Sequence, residues 1–143
     1  MPVSGIGSNP STVTVEFDIP ASAPAGQTIA GNITAFGPLV PASATVVIPP
    51  TQRWYFYSIS TTDGPVGPDG RVQILLNGDL QYFQPSLSQT SLSVLRGYTF
   101  PAPVKAKPNT TISFILTLIA ANTLTTEVIQ NVQFDIVKYQ ISI

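Results

Sequence analysis

The chain has 143 residues, no cysteine and no histidine, and 6 basic against 7 acidic side chains for a net charge of −1. This length suits one domain with a sizeable core, and the missing residue types exclude disulfides, thiolate metal sites, cysteine nucleophiles and histidine bases together. The cations Arg53, Arg71, Arg96, Lys105, Lys107 and Lys138 are scattered along the chain, so there is neither a basic stripe for nucleic acid nor a polybasic membrane patch.

Residues 1–11 are rich in Gly, Ser and Pro without periodicity. They are expected to form a flexible N-terminal arm, leaving 12–143 as a single β-sandwich domain. No basic region followed by an apolar one is present there, so no signal peptide is read. Over 12–19, Val13, Val15, Phe17 and Ile19 alternate with Thr12, Thr14, Glu16 and Asp18, which predicts a strand with one wet face. Pro20 stops it. A second strand is expected over 27–36, with Ile29, Ile33 and Ala35 on one face and Gly31 marking a thin spot or bulge.

Gly37, Pro38 and Pro41 make the next break, and 45–48 is a short β-branched run closed by Pro49 and Pro50. Over 53–60, Trp54, Tyr55, Phe56, Tyr57 and Ile59 give an aromatic strand with bulky groups on both faces. One face suits a core and the other a partner or a neighbouring subunit. The stretch 61–70 carries Asp63-Gly64, Pro65, Gly67, Pro68 and Asp69-Gly70, and is expected to be a projecting hairpin loop. A strand over 71–76 leads to Asn77-Gly78, the strongest short hairpin signal in the chain, and on to Leu80, Tyr82 and Phe83.

Over 85–97, Ser86 is placed to cap a short helix and Gly97 to end it. Tyr98, Thr99 and Phe100 then run into Pro101, Pro103 and Pro108. Over 111–120 a core strand is expected, with Ile112, Phe114, Leu116 and Leu118 on one face and Ile115 and Ile119 on the other. The last strand, over 131–143, changes phase. Val132, Phe134 and Ile136 give way to Val137, Tyr139, Ile141 and Ile143. A β-bulge at Ile136/Val137 would turn both halves to one core.

A serine triad needs a base, and no Ser-x-x-Lys motif supplies one in the absence of histidine. Glu16, Asp18 and Asp135 alternate with apolar residues and read as a solvated or interfacial strand face rather than a glycosidase pair. Asp63, Asp69 and Asp79 are candidate ligands for a hard cation such as Ca²⁺, although Asp-Gly pairs form turns for purely local reasons. Trp54, Tyr55 and Tyr57 form either a sugar-stacking platform or an interface strand whose alternate members face inward, and the second is preferred. Asn32-Ile33-Thr34 and Asn109-Thr110-Thr111 fit the glycosylation acceptor pattern. No phosphate-cradling loop is present, no metal or cofactor is expected, and the chain does not read as an enzyme.

About eight strands separated by Pro, Gly and Asn turns, with no amphipathic helix of normal length, indicate an all-β sandwich or barrel. Pairing the first clear strand with the last would manage the sheet edges. Charged residues make up only 9% of the chain, against roughly 25% in an ordinary domain, and mean hydropathy is +0.27. So little charge favours a surface covered by neighbours over a dispersed monomer; a Ser/Thr-rich extracellular β-module is the alternative.

The arm, the strands with Pro-rich connections, the low charge and the terminal strand together resemble the single jelly-roll capsid proteins of icosahedral viruses, including those of thermophilic hosts. The resemblance implies an all-β, single jelly-roll (Greek-key) sandwich of antiparallel strands. It places 12–19 beside 131–143, makes a hairpin of 53–60 with 71–76, and sets a short helix near 86–96. It further implies a virion structural protein (shell, penton or decoration subunit) whose partners are copies of itself and other capsid proteins, made in the host cytoplasm. No direct nucleic-acid binding and no membrane span are expected. Trp54, Tyr55, Tyr57, Asp63 and Asp69 are the candidate interface or ligand residues. An extracellular carbohydrate-binding or adhesin module is the other class, with sugar as its partner.

Overall fold

Folding is organised about the Asn77-Gly78 turn, where φ is +53 and +84, the left-handed pair that a two-residue hairpin of matching twist requires. The computed structural model describes residues 8–36, 45–62, 64–81, 84–92 and 97–141. Within these lie nine strands: β1 (Ser8–Ile19), β2 (Thr28–Phe36), β3 (Thr45–Val47), β4 (Gln52–Ser60), β5 (Gly70–Leu76), β6 (Asp79–Leu80), β7 (Tyr98–Ala106), β8 (Thr111–Leu118) and β9 (Val128–Gln140). Outward from the turn, β5 pairs with β6, β4 with β7, β2 with β8 and β1 with β9, each pair enclosing the one before. This nested strip is rolled up, so that the sheet runs β6-β5-β8-β2-β1-β9-β4-β7 with β3 also on β8. All of these pairings are antiparallel, and the result is a curled, half-open barrel.

The roll turns at β2. Thr28, Ile29 and Ala30 pair with Thr117, Leu116 and Ile115 of β8, whereas from Gly31 onward the strand pairs with β1. Gly31 lies opposite Phe17, and a Cβ there would stand 2.6 Å from Val15 Cγ1 and 2.8 Å from Phe17 Cε1. The glycine is therefore the thin spot at which the sheet curls over β1. An extra residue also occurs in β2, at Thr34, between the pairs Thr14–Ala35 and Val15–Ile33.

Alternation fills the interior as the sequence implies. Val13, Val15, Phe17 and Ile19 of β1 and Val132, Phe134 and Ile136 of β9 are buried, facing Ile112, Phe114, Leu116 and Leu118 of β8. Phe114 and Phe134 lie 4.8 Å apart, and Phe56 meets Phe134 edge to face at 5.8 Å. These rings join the row β1-β9-β4-β7 to the row carrying β8.

Several expectations are corrected. β1 begins at Ser8, so residues 8–11 of the expected arm continue the strand, paired with β9 as far as Tyr139; residues 1–7 lie outside the described residues. β4 and β5 do not form a hairpin, because β4 pairs with β7 and β9 while β5 pairs with β8 and β6. The expected helix is a single 3-10 turn, Leu87–Thr90, with Ser86 and Gln89 forming a capping box. Gly97 lies beyond it and donates its N–H to Ser91 O at 3.2 Å.

β7 is a strand despite Pro101 and Pro103, which an edge strand tolerates because one side of its backbone needs no partner. The expected bulge at Ile136/Val137 is absent: β9 stays in unbroken register with β1 from Val128 to Tyr139. The extra residue lies in β4 instead. Phe56 pairs with Ile136 and Ser58 with Asp135, which leaves Tyr57 without an opposite residue.

A tyrosine face and an apolar loop end

Because β9 runs straight, the phase change in its sequence marks a second face rather than a kink. Ile136 points into the core, while Val137 and Tyr139 are half-buried on the outer side. β4 supplies the matching outer residues, since Trp54 and Phe56 point inward and Arg53 and Tyr55 point out. The bulge keeps Tyr57 on the outer side, after which Ile59 returns to the core.

Tyr55 and Tyr139 meet edge to face with centroids 5.1 Å apart, and Tyr55 stacks with Tyr57 at 6.4 Å. Interaction with the Tyr139 hydroxyl, then burial and the charge of its phenolic neighbours, holds the Tyr57 hydroxyl above the usual tyrosine range. Arg53, Tyr55, Tyr57, Tyr139, Gln140 and Ile141 line an open concavity of about 390 Å³. Nε of Arg53 is buried, with no hydrogen-bond partner among the described residues.

Trp54 takes no part in this surface. It is 1% exposed, on the inner side, where its Nε1–H donates to Gln52 Oε1 at 2.9 Å. Lys138 Nζ stands 5.1 Å from the centre of its ring, and burial lowers the pKa of that ammonium. Among the expected ligand residues the structure therefore brings together Tyr55 and Tyr57 and sets Trp54 apart. Arg53 and Tyr139 join them, which only the pairing of Arg53 with Tyr139 across β4 and β9 reveals.

Asp69 lies at the opposite end of the barrel and is occupied. Its carboxylate accepts from Ser88 Oγ at 2.8 Å, Ser88 N at 3.3 Å and Gly70 N at 2.9 Å. It thus pins the 3-10 turn to the start of β5. Asp63 lies outside the described residues, and among the described residues no group of three His, Cys, Asp or Glu side chains is placed to hold a metal ion.

The described residues of the loop over 61–70 fold back onto β9 instead of projecting. Gln130, buried in β9, accepts from Val66 N at 2.8 Å and donates to Gly64 O at 3.4 Å, and Gly67 packs against Val128 so closely that a Cβ would lie 2.9 Å from Cγ1. Neighbouring loops are laced into the same end: Asn122 N donates to Ala23 O at 2.7 Å, Ser22 N to Leu124 O at 3.0 Å and Ile119 N to Asp69 O at 2.9 Å.

Laced by these hydrogen bonds, this end presents large apolar side chains to solvent. Val66, Leu92, Ile119, Leu124 and Ile129 are each 40% exposed or more. Exposed Glu127 shares the end with Asp18; their side-chain hydrogen bond, then mutual repulsion, raises the Glu127 carboxyl above the usual carboxylate range.

No helix among the described residues is long and apolar enough to cross a membrane. No protein-family model matches the chain, and no curated protein sequence matches it.

Proposed function

We propose that the chain is a single jelly-roll structural protein of an icosahedral virion, a shell, penton or decoration subunit that acts by symmetric packing with copies of itself. The observation that carries this reading is the strand order. Nested pairs rolled into two rows, β1-β9-β4-β7 and β2-β8-β5-β6, are what winding one long antiparallel strip around a common core produces.

Fold alone fixes no function, so the surface has to supply the rest. Both edges discourage open-ended growth, since β6 is two residues long and β7 carries prolines. The laced loop end offers apolar side chains on a framework held by backbone hydrogen bonds, the kind of patch that a symmetric interface buries. In this reading the protein works by association in the virion and carries out no catalysis.

Electron microscopy of the purified chain tests the proposal. Closed rings or shells support it, and Leu124→Asp or Ile119→Asp at the loop end should disperse them while circular dichroism stays unchanged. A uniformly monomeric field at high protein concentration would overturn it and favour a free-standing carbohydrate-binding or adhesin module.

A further inference from the structure

We infer that the concavity lined by Arg53, Tyr55, Tyr57, Tyr139, Gln140 and Ile141 is a binding site for an acidic saccharide, a pyranose bearing a carboxylate. This inference stands apart from the shell reading, because the concavity and the apolar loop end lie at opposite ends of the barrel. The size suits the ligand: about 390 Å³ falls in the range of roughly 300–1,000 Å³ usual for small-molecule sites. The lining has two chemistries. Tyr55, Tyr57 and Tyr139 present ring faces and edges at fixed mutual angles, and the negative face of an aromatic ring receives the polarised C–H groups of a sugar. Their hydroxyls, with the Gln140 amide, are donors and acceptors for ring hydroxyls.

Charge selects the acid. Arg53 lines the concavity, and Lys105 pairs with Tyr55 on the outer side of β7. The acidic residue of β9, Asp135, lies further along the sheet and accepts from Ser58 Oγ at 2.8 Å. No described acidic side chain lines the concavity.

The Nε–H of Arg53 has no acceptor among the described residues and is itself sealed from solvent. A carboxylate in the concavity would therefore meet the terminal nitrogens of this guanidinium, whose planar fork matches two carboxylate oxygens. A neutral sugar meets the rings but leaves the guanidinium charge unanswered, and a simple carboxylate does the reverse.

Nuclear magnetic resonance titration of the full chain with glucuronic acid, N-acetylneuraminic acid, glucose and acetate separates these contributions. Both acidic sugars should shift the tyrosine resonances saturably, with affinity about tenfold or more above glucose and acetate, the gain expected of one charge-assisted pair. Arg53→Gln should bring the acidic sugars down to the glucose level, Arg53→Lys should fall between, and Tyr139→Ala should weaken every sugar. Circular dichroism checks each variant's fold, and sedimentation of the same samples reads assembly independently. Equal affinity for glucose and glucuronic acid, retention of the preference in both Arg53 variants, or no saturable shift with any sugar would overturn the assignment.

Discussion

Tyr139 meets Tyr55 edge to face, 5.1 Å between centroids, on the side of the sheet that turns away from the core. One strand of β9 thus serves two environments, Phe134 and Ile136 filling the interior and Tyr139 furnishing the outside. Stability should divide along the same line. Phe134→Ala should cost about 3–5 kcal/mol, as a fully buried ring does. Tyr139→Ala, at a half-buried position, should cost less, about 1 kcal/mol for the lost aromatic pair. Urea denaturation measures both, and equal losses would place Tyr139 in the core after all.

Gly31 should be intolerant of even one carbon. The added Cβ of Gly31→Ala would stand 2.6 Å from Val15 Cγ1, so overpacking should cost about 1–3 kcal/mol. Adding Val15→Ala should recover part of the loss, a coupling that a double-mutant cycle reads directly. Strict additivity would show that the two groups do not compete for one space.

Asp69 should matter to folding and not to cations. Replacing it with Ala removes the acceptor for Ser88 and Gly70 and should lower stability by about 2 kcal/mol, the scale for hydrogen bonds to a charged group. Millimolar Ca²⁺ should leave the wild-type melting temperature unchanged. A calcium-dependent rise that Asp69→Ala abolishes would return the residue to the role of ligand.

Glu127 should weaken the fold as pH rises. Its carboxyl is raised by its hydrogen bond with Asp18 and by that neighbour's charge, so the folded state holds the proton more firmly than the unfolded chain. Stability therefore declines from the ordinary glutamate range upward through the raised value. Glu127→Gln should melt higher than wild type at neutral pH, and the two curves should converge below about pH 4, where an unperturbed carboxyl is protonated. Melting curves that stay parallel across this range would show no such coupling.

The sequence was most legible where alternation was strict and a turn had its own chemistry. The alternating apolar residues of β1 and β9 marked both as strands with one core face, and Asn77-Gly78 marked the hairpin at the centre of the roll. Parity was harder to interpret. The switch at Ile136/Val137 looks the same in sequence whether it arises from a bulge or from a second apolar face, and only the pairing of β9 with both neighbours distinguishes them. A true slip was present in β4, where Phe56 and Ile59 are both buried three positions apart. Pro101 and Pro103 concealed β7, since proline counts against any strand except an edge. Arg53 and Tyr139 could not be joined before the register was known, because 86 positions of sequence separate two residues that pair across the sheet.

Association of identical subunits is read from the mass of the purified full chain, measured by light scattering as its concentration is raised. The expected result is a discrete closed species, a trimer, a pentamer or a larger shell, that Leu124→Asp at the apolar loop end reduces towards the mass of one chain. A wild-type mass that stays at the single-chain value of 15.2 kDa over the whole range would contradict it.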